Sequence, residues 1–140
     1  MFRGASDPVR ELAVCVFSGD ENTEDDYARY VDWLSQLLGR YATADKPVMV
    51  QVVDRGNPVP NAKWRGRIAD AARQVPPSAL YILVSDSTIV RGTARAIGWL
   101  APRDYEMTVC ASFDEAVSTA EAWRGAPLPS LVALHEEARG

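Results

Sequence analysis

ALYILV, residues 79–84, is an unbroken apolar run of strand length that stops at Ser85-Asp86-Ser87. Beyond it the period changes: Val90, Ala94, Ile97 and Ala101 recur at helical spacing before Pro102. An all-apolar strand followed by an amphipathic helix is the repeating unit of a parallel sheet covered by helices. Because this strand is the most apolar in the chain, it is expected near the centre of the sheet. Residues 11–18 (ELAVCVFS), 47–53 (PVMVQVV) and 106–111 (EMTVCA) read as three further strands.

Helices fill the gaps. Thr23 and Asp26 form a variant capping box before Tyr27, Val31, Leu34, Leu38 and Tyr41, with Asp25, Arg29, Asp32, Gln36 and Arg40 on the polar side. Trp64, Ile68, Ala71, Ala72 and Val75 lie on one arc of a helix over 61–74 that Pro76-Pro77 ends. Ser112 and Glu115 open a helix containing Phe113, Ala116, Val117, Ala120 and Trp123. The pattern predicts one α/β domain over 11–124, with four successive βα units and a mostly parallel four-stranded sheet. Residues 1–10 are expected to be a loose, flexible leader. Residues 125–140 read as a Pro-containing hinge and a short terminal helix that docks on the body or contacts a partner.

Composition narrows the function classes. The chain of 140 residues is 47% hydrophobic and 24% charged, with a formal net charge of −4, so neither nucleic-acid nor anionic-membrane binding is expected. No stretch reads as a signal peptide or membrane span, and the cytoplasm is the expected location. Cys15 and Cys110 lie inside strand runs and read as small buried hydrophobes. His135, the sole histidine, is expected on the surface near the C-terminus without metal-ligand spacing. No glycine-rich phosphate loop, nucleophile elbow or Ser/His/Asp set is present, so neither a catalytic set, a metal nor a cofactor is expected. Asp20, Glu21 and Asp54 suggest a receiver-like acidic site, but the fourth strand offers no lysine to complete it.

Two surfaces remain. On the third helix Arg91, Arg95 and Trp99 fall at i, i+4 and i+8, off the sheet-facing stripe, and read as an aromatic–arginine patch for a partner protein. The alternative is Trp99 folded onto Pro102, Tyr105 or an adjacent helix, with the arginines solvating the rim. Lys63, Arg65, Arg67 and Arg73 make the second helix electropositive and solvated. The strand C-terminal ends, where open α/β sheets bind ligands, offer Asp54, Arg55, Asn61, Ser85 and Ser87 as a ligand site or phospho-switch. Ser87 reads either as a helix N-cap or as a phosphorylatable residue at a helix N-terminus.

Arg91-Gly92, Ala96-Ile97 and Trp99-Leu100, followed by Pro102 and a strand, resemble the R-G-x-x-x-A-I-x-W-L pattern of small bacterial STAS-like proteins, related to anti-sigma-factor antagonists. Asp54, residues 61–69 and FDEA at 113–116 extend the resemblance over about residues 12–123. It implies a superhelical sheet of βα units serving protein–protein regulation. STAS domains can be phosphorylated on a serine at a helix start, and Ser87 is the nearest position; Asp86-Ser87-Thr88-Ile89 stands where those domains carry a D-S-S-G-like signature. The leading expectation is therefore a non-catalytic regulatory or adaptor domain that binds another protein or self-associates. The alternative is a sensor for a small molecule, nucleotide or lipid at the strand ends.

Overall fold

The computed structural model describes residues 1–100 and 104–140, with side chains for all of these except 95–100. In chain order the elements are β1 (Phe2–Asp7), β2 (Leu12–Phe17), α1 (Glu24–Tyr41), β3 (Val48–Val53), α2 (Ala62–Ala72), β4 (Leu80–Val84), α3 (Thr88–Leu100), β5 (Glu106–Cys110), α4 (Phe113–Arg124) and α5 (Ser130–Arg139). The strands lie in one sheet in sequential order, β1-β2-β3-β4-β5. β2 to β5 are parallel, and β1 runs antiparallel on the outer edge of β2.

Sequential order decides which face each helix covers. Every step from β2 to β5 moves one strand in the same direction, and right-handed crossovers then place α1, α2 and α3 on a single face. The other face is left to α4 and α5. Strand parity follows this division. Leu12, Val14, Val16, Val48, Val50, Val52, Leu80, Ile82 and Val84 pack with Ala116 and Ala120 of α4 and Leu131, Leu134 and Ala138 of α5. Ala13, Cys15, Phe17 and Met49 pack against Tyr30, Leu34 and Leu38 of α1 and Trp64 and Ile68 of α2. Both faces of β2, β3 and β4 are buried, so these strands are apolar at nearly every position.

Two expectations are corrected. The sheet has five strands, because residues 2–7 are not a loose leader but the edge strand β1, registered from Phe2 opposite Phe17 to Asp7 opposite Leu12. Phe2, 3% exposed, enters the α1 face, and Ala5 enters the α4/α5 face. Gly4 belongs here because a side chain would collide with Trp33, whose indole lies across the strand. The 79–84 run, β4, is an interior strand beside the middle one, β3, in keeping with the expected place near the centre. The terminal helix docks on the body: Leu131, Leu134 and Ala138 of α5 are buried with Ala5 and Leu12.

The anticipated capping box is formed, and it also ties β1 to α1. Asp26, whose side chain is 7% exposed, accepts from the backbone amides of Phe2 (3.0 Å) and Thr23 (2.8 Å) and from Arg29 (2.7 Å). The Thr23 hydroxyl in turn accepts from the Asp26 amide at 3.0 Å. Burial pushes the Asp26 carboxyl up, yet the amides of Thr23 and Phe2 more than offset it, so its pKa lies below the ordinary value. Asp26→Ala should therefore destabilise the domain by about 2–4 kcal/mol at pH 7 in chemical denaturation, because buried amides lose their acceptor. A carboxylate with a depressed folded pKa contributes above its unfolded pKa of about 4 and loses that contribution as pH falls through the folded value. The gap between wild type and variant should narrow in acid; an unchanged gap between neutral and acid pH contradicts this role.

Candidate functional site

Two concave places among the described residues gather polar side chains, one at the strand ends and one between the sheet and α1 to α3. One is at the strand ends. The C-terminal ends of β3, β4 and β5, the start of α4 and Arg139 of α5 enclose a cleft of about 220 Å³. It gathers Asp54, Arg55 and Ser85 from the sequence-predicted set and adds Asp86, Ser112 and Arg139. Its charges are matched in pairs. Arg139 holds Asp54 with two hydrogen bonds, the longer at 2.8 Å, and Arg55 reaches Asp86 at 2.6 Å although its side chain is 87% exposed. Ser85 is buried, and its hydroxyl accepts from the Ser87 amide at 3.1 Å.

Asn61 and Ser87 serve the helices. Asn61 is the N-cap of α2, its carbonyl oxygen accepting from the Trp64 amide at 3.1 Å. The Ser87 hydroxyl accepts from the Val90 amide at 3.3 Å, as capping requires. Neither lines the cleft. On the third helix, Arg91 is half-buried and leans towards the Asp86 carbonyl at 3.5 Å. The side chains of Arg95 and Trp99 lie outside the described residues, as do Ala101 and Pro102. The cations of α2 are engaged locally: Lys63 pairs with Glu24 (3.1 Å), Arg65 donates to the Pro60 carbonyl (2.8 Å), Arg67 lies over Trp64, and Arg73 pairs with Asp70.

His135 is not a free surface residue. Its ring stacks on Phe113 at 3.9 Å between centroids, and its Nε2 accepts from Arg139 at 3.2 Å. Burial and the neighbouring guanidinium hold its pKa below the ordinary value.

The second place lies between the sheet and α1, α2 and α3. It is a cavity of about 90 Å³, walled by Phe17, Leu34, Val53, Ile68, Leu83, Val90 and Tyr105 among others. Its polar groups are of two kinds. At one side Asn22 and Asn57 pair reciprocally through their amides (2.9 and 3.0 Å), and Asn57 also donates to the carbonyls of Ser18 and Gly19. That exchange stitches the β2–α1 loop to the β3–α2 loop. On the floor, Gln51 of β3, Tyr81 of β4 and Tyr30 of α1 converge. Both phenols donate to the Gln51 carbonyl oxygen, Tyr30 at 3.2 Å, and the two phenol oxygens are 3.1 Å apart. Three oxygens thus share two hydrogens. Burial drives both phenols above the ordinary tyrosine range.

Position explains this cluster. Gln51 pairs with Cys15 on one side and Leu83 on the other in the middle strand, on the face that α1 to α3 cover. A glutamine there must find partners or remain unsatisfied in a buried setting. Neither it nor the tyrosines were singled out by motif or spacing. The available signal was a lone amide inside the apolar run PVMVQVV, and buried polar groups carry more information than exposed apolar ones.

Among the described residues no group of three or more His, Cys, Asp or Glu side chains is placed to hold a metal ion. No helix among them is long and apolar enough to cross a membrane. No protein-family model, curated protein or solved structure matches the chain.

The buried phenols give a direct test of the floor. Of the five tyrosines, Tyr30 and Tyr81 should ionise only after unfolding, and Tyr41, pushed up to about 12, should lag behind free tyrosine. An acid whose folded pKa is raised contributes stability below its unfolded pKa, about 10 for tyrosine, and loses it as pH rises further. Ultraviolet titration of phenolate should show these groups appearing with alkaline denaturation, and Tyr30→Phe or Tyr81→Phe should each remove one late-titrating group. Early, reversible ionisation of every tyrosine contradicts the geometry.

Proposed function

We propose that this chain is a regulatory domain that binds a small molecule in the cavity beneath α3 and performs no chemistry on it. The observation that carries the reading is the Tyr30–Gln51–Tyr81 cluster on the floor of an otherwise apolar space. Apolar walls with a few convergent polar groups are the usual composition of ligand sites. Phenols kept protonated by burial act as hydrogen-bond donors, not as general bases. The strand-end cleft is the weaker candidate for a nucleotide or lipid headgroup, since its arginines already face carboxylates that an anion would have to displace.

The adaptor role joins this reading through α3. Val90, Thr93 and Ala94 belong to the cavity wall, whereas Arg91, Arg95 and Trp99 are spaced along a different side of the helix. A ligand pressing on the inner side would shift the surface offered to a partner protein. Membership of the STAS-like group is part of the same proposal. Its support is the run of repeated βα units from β2 to α4, which the resemblance implies.

The test is amide NMR of the full chain with a mixture of small neutral fragments. Shifts should centre on Gln51, Leu83 and Val90, and a cavity-filling Ala72→Phe variant, checked for folding by its amide spectrum, should abolish them. Binding should raise the melting temperature as well, since a ligand that favours the native state adds about 2.7 kcal/mol at a hundred times its Kd. Shifts centred on Asp54, Arg55 and Ser85 would instead move the site to the strand ends and sink the proposal.

A further inference from the structure

We propose, resting on the binding reading above, that the cavity selects an uncharged amphipathic molecule whose apolar body fills the space while a single hydroxyl or N–H donor seats on the Tyr30–Gln51–Tyr81 oxygens. Charge is the first argument. The described residues that line the cavity include no Lys, Arg, His, Asp or Glu; their polar groups are amides, hydroxyls and phenols. A carboxylate or ammonium entering there would give up its hydration and meet no counter-charge, a large penalty. The strand-end cleft, with two arginines and two aspartates, shows what a charged site in this fold looks like.

Hydrogen counting supplies the second argument. The Asn22 and Asn57 amides engage each other and the loop carbonyls, so they are poor anchors for a head group. The floor differs. Its three oxygens lie within hydrogen-bonding distance of one another but own two hydrogens, so they can accept a further hydrogen bond from a donor without breaking the existing contacts. A ligand hydroxyl or N–H supplies that hydrogen.

Size and shape bound the rest. The volume of about 90 Å³ is smaller than the roughly 150 Å³ that admits benzene in an engineered apolar cavity, so the enclosed part of the ligand has about four non-hydrogen atoms and the rest lies towards the mouth. The wall is rich in ring edges, with Phe17 and Tyr30 edge-to-face at 5.1 Å and Tyr81 tilted against Tyr105 at 6.3 Å. Such walls suit a compact ring or branched body better than an extended chain.

Three probes of one shape separate these features: cyclopentanol, cyclopentane and cyclopentanecarboxylate, each titrated into the full chain at pH 7 and followed by amide NMR. Cyclopentanol should bind with shifts at the floor. Cyclopentane should bind about five- to tenfold more weakly for lack of one hydrogen bond, and the carboxylate should leave the cavity resonances unmoved. Gln51→Leu, and separately Gln51→Met, should bring cyclopentanol down to the affinity of cyclopentane, because the two remaining phenol oxygens then own two hydrogens; two variants guard against one failing to fold. Carboxylate binding as tight as that of the alcohol, or equal affinity for the alcohol and the hydrocarbon, overturns this inference and leaves the cavity as a binding site. If none of the three probes moves the cavity resonances at millimolar concentration, the binding reading falls, and this inference with it.

Discussion

The handedness of a strand–helix–strand crossover governs this molecule. Because β2 to β5 follow one another without a reversal of order, α1, α2 and α3 are committed to one face of the sheet, and the opposite face has no crossover helix to cover it. Val14, Val50 and Ile82 would be left to water if the chain ended its regular structure at β5. α4 and α5 solve that problem by returning under the sheet, and Arg124 fixes the return by donating to the carbonyls of Arg10 (2.8 Å) and Lys46 (2.6 Å) at the starts of β2 and β3. The two helical layers therefore differ in kind. One is dictated by topology and is crowded with aromatic residues; the other is assembled from small residues such as Ala116, Ala120 and Ala138, which let the helices lie close to β-branched strands.

The same constraint accounts for where the cavity opens. A sheet in sequential order has no switch point, so the crevice that ordinarily collects ligands in open α/β folds has no special location here. The strand ends remain polar, yet their charges are consumed by one another, Asp54 by Arg139 and Asp86 by Arg55. Space appears instead where three helices must share one face, and where bulky Tyr30, Tyr81 and Tyr105 meet Gln51 without filling the gap between them.

The strands β2 to β4 and their helices could be read from the sequence because both faces are buried and the apolar signal is continuous, while the half-buried β5 was legible from its short apolar run after Pro102. The N-cap residues Thr23, Ser87 and Ser112 were readable for the same local reason: their side chains satisfy amides within their own turn. β1 was hidden. Only Phe2 and Ala5 of its six residues are buried, and Gly4 and Ser6 dilute the alternation that an edge strand should show. Its place depends on partners far away in sequence, Asp26 and Trp33 among them, which no window of ten residues contains. The site was less legible still. Asp54, Arg55 and Ser85 do come together at the strand ends, but Asn61 and Ser87 are absorbed by capping, and the cavity floor assembles from three elements whose residues individually look like ordinary core. Convergence of Tyr30, Gln51 and Tyr81 is a property of strand register and helix placement, not of any motif.

The docking of α5 on β1 and β2 has a consequence for synthesis. The side of β2 bearing Leu12, Val14 and Val16 is made well before Leu131, Leu134 and Ala138, which lie over that region. Until residues 130–139 have emerged, a nascent chain carrying the whole sheet still exposes a stripe of valine and leucine on one side. Such an interval favours association with chaperones or with other nascent chains. A chain halted before Ser130 would therefore leave the β1–β2 side of that face, beside α4, without its cover, and α5 is the helix that closes it.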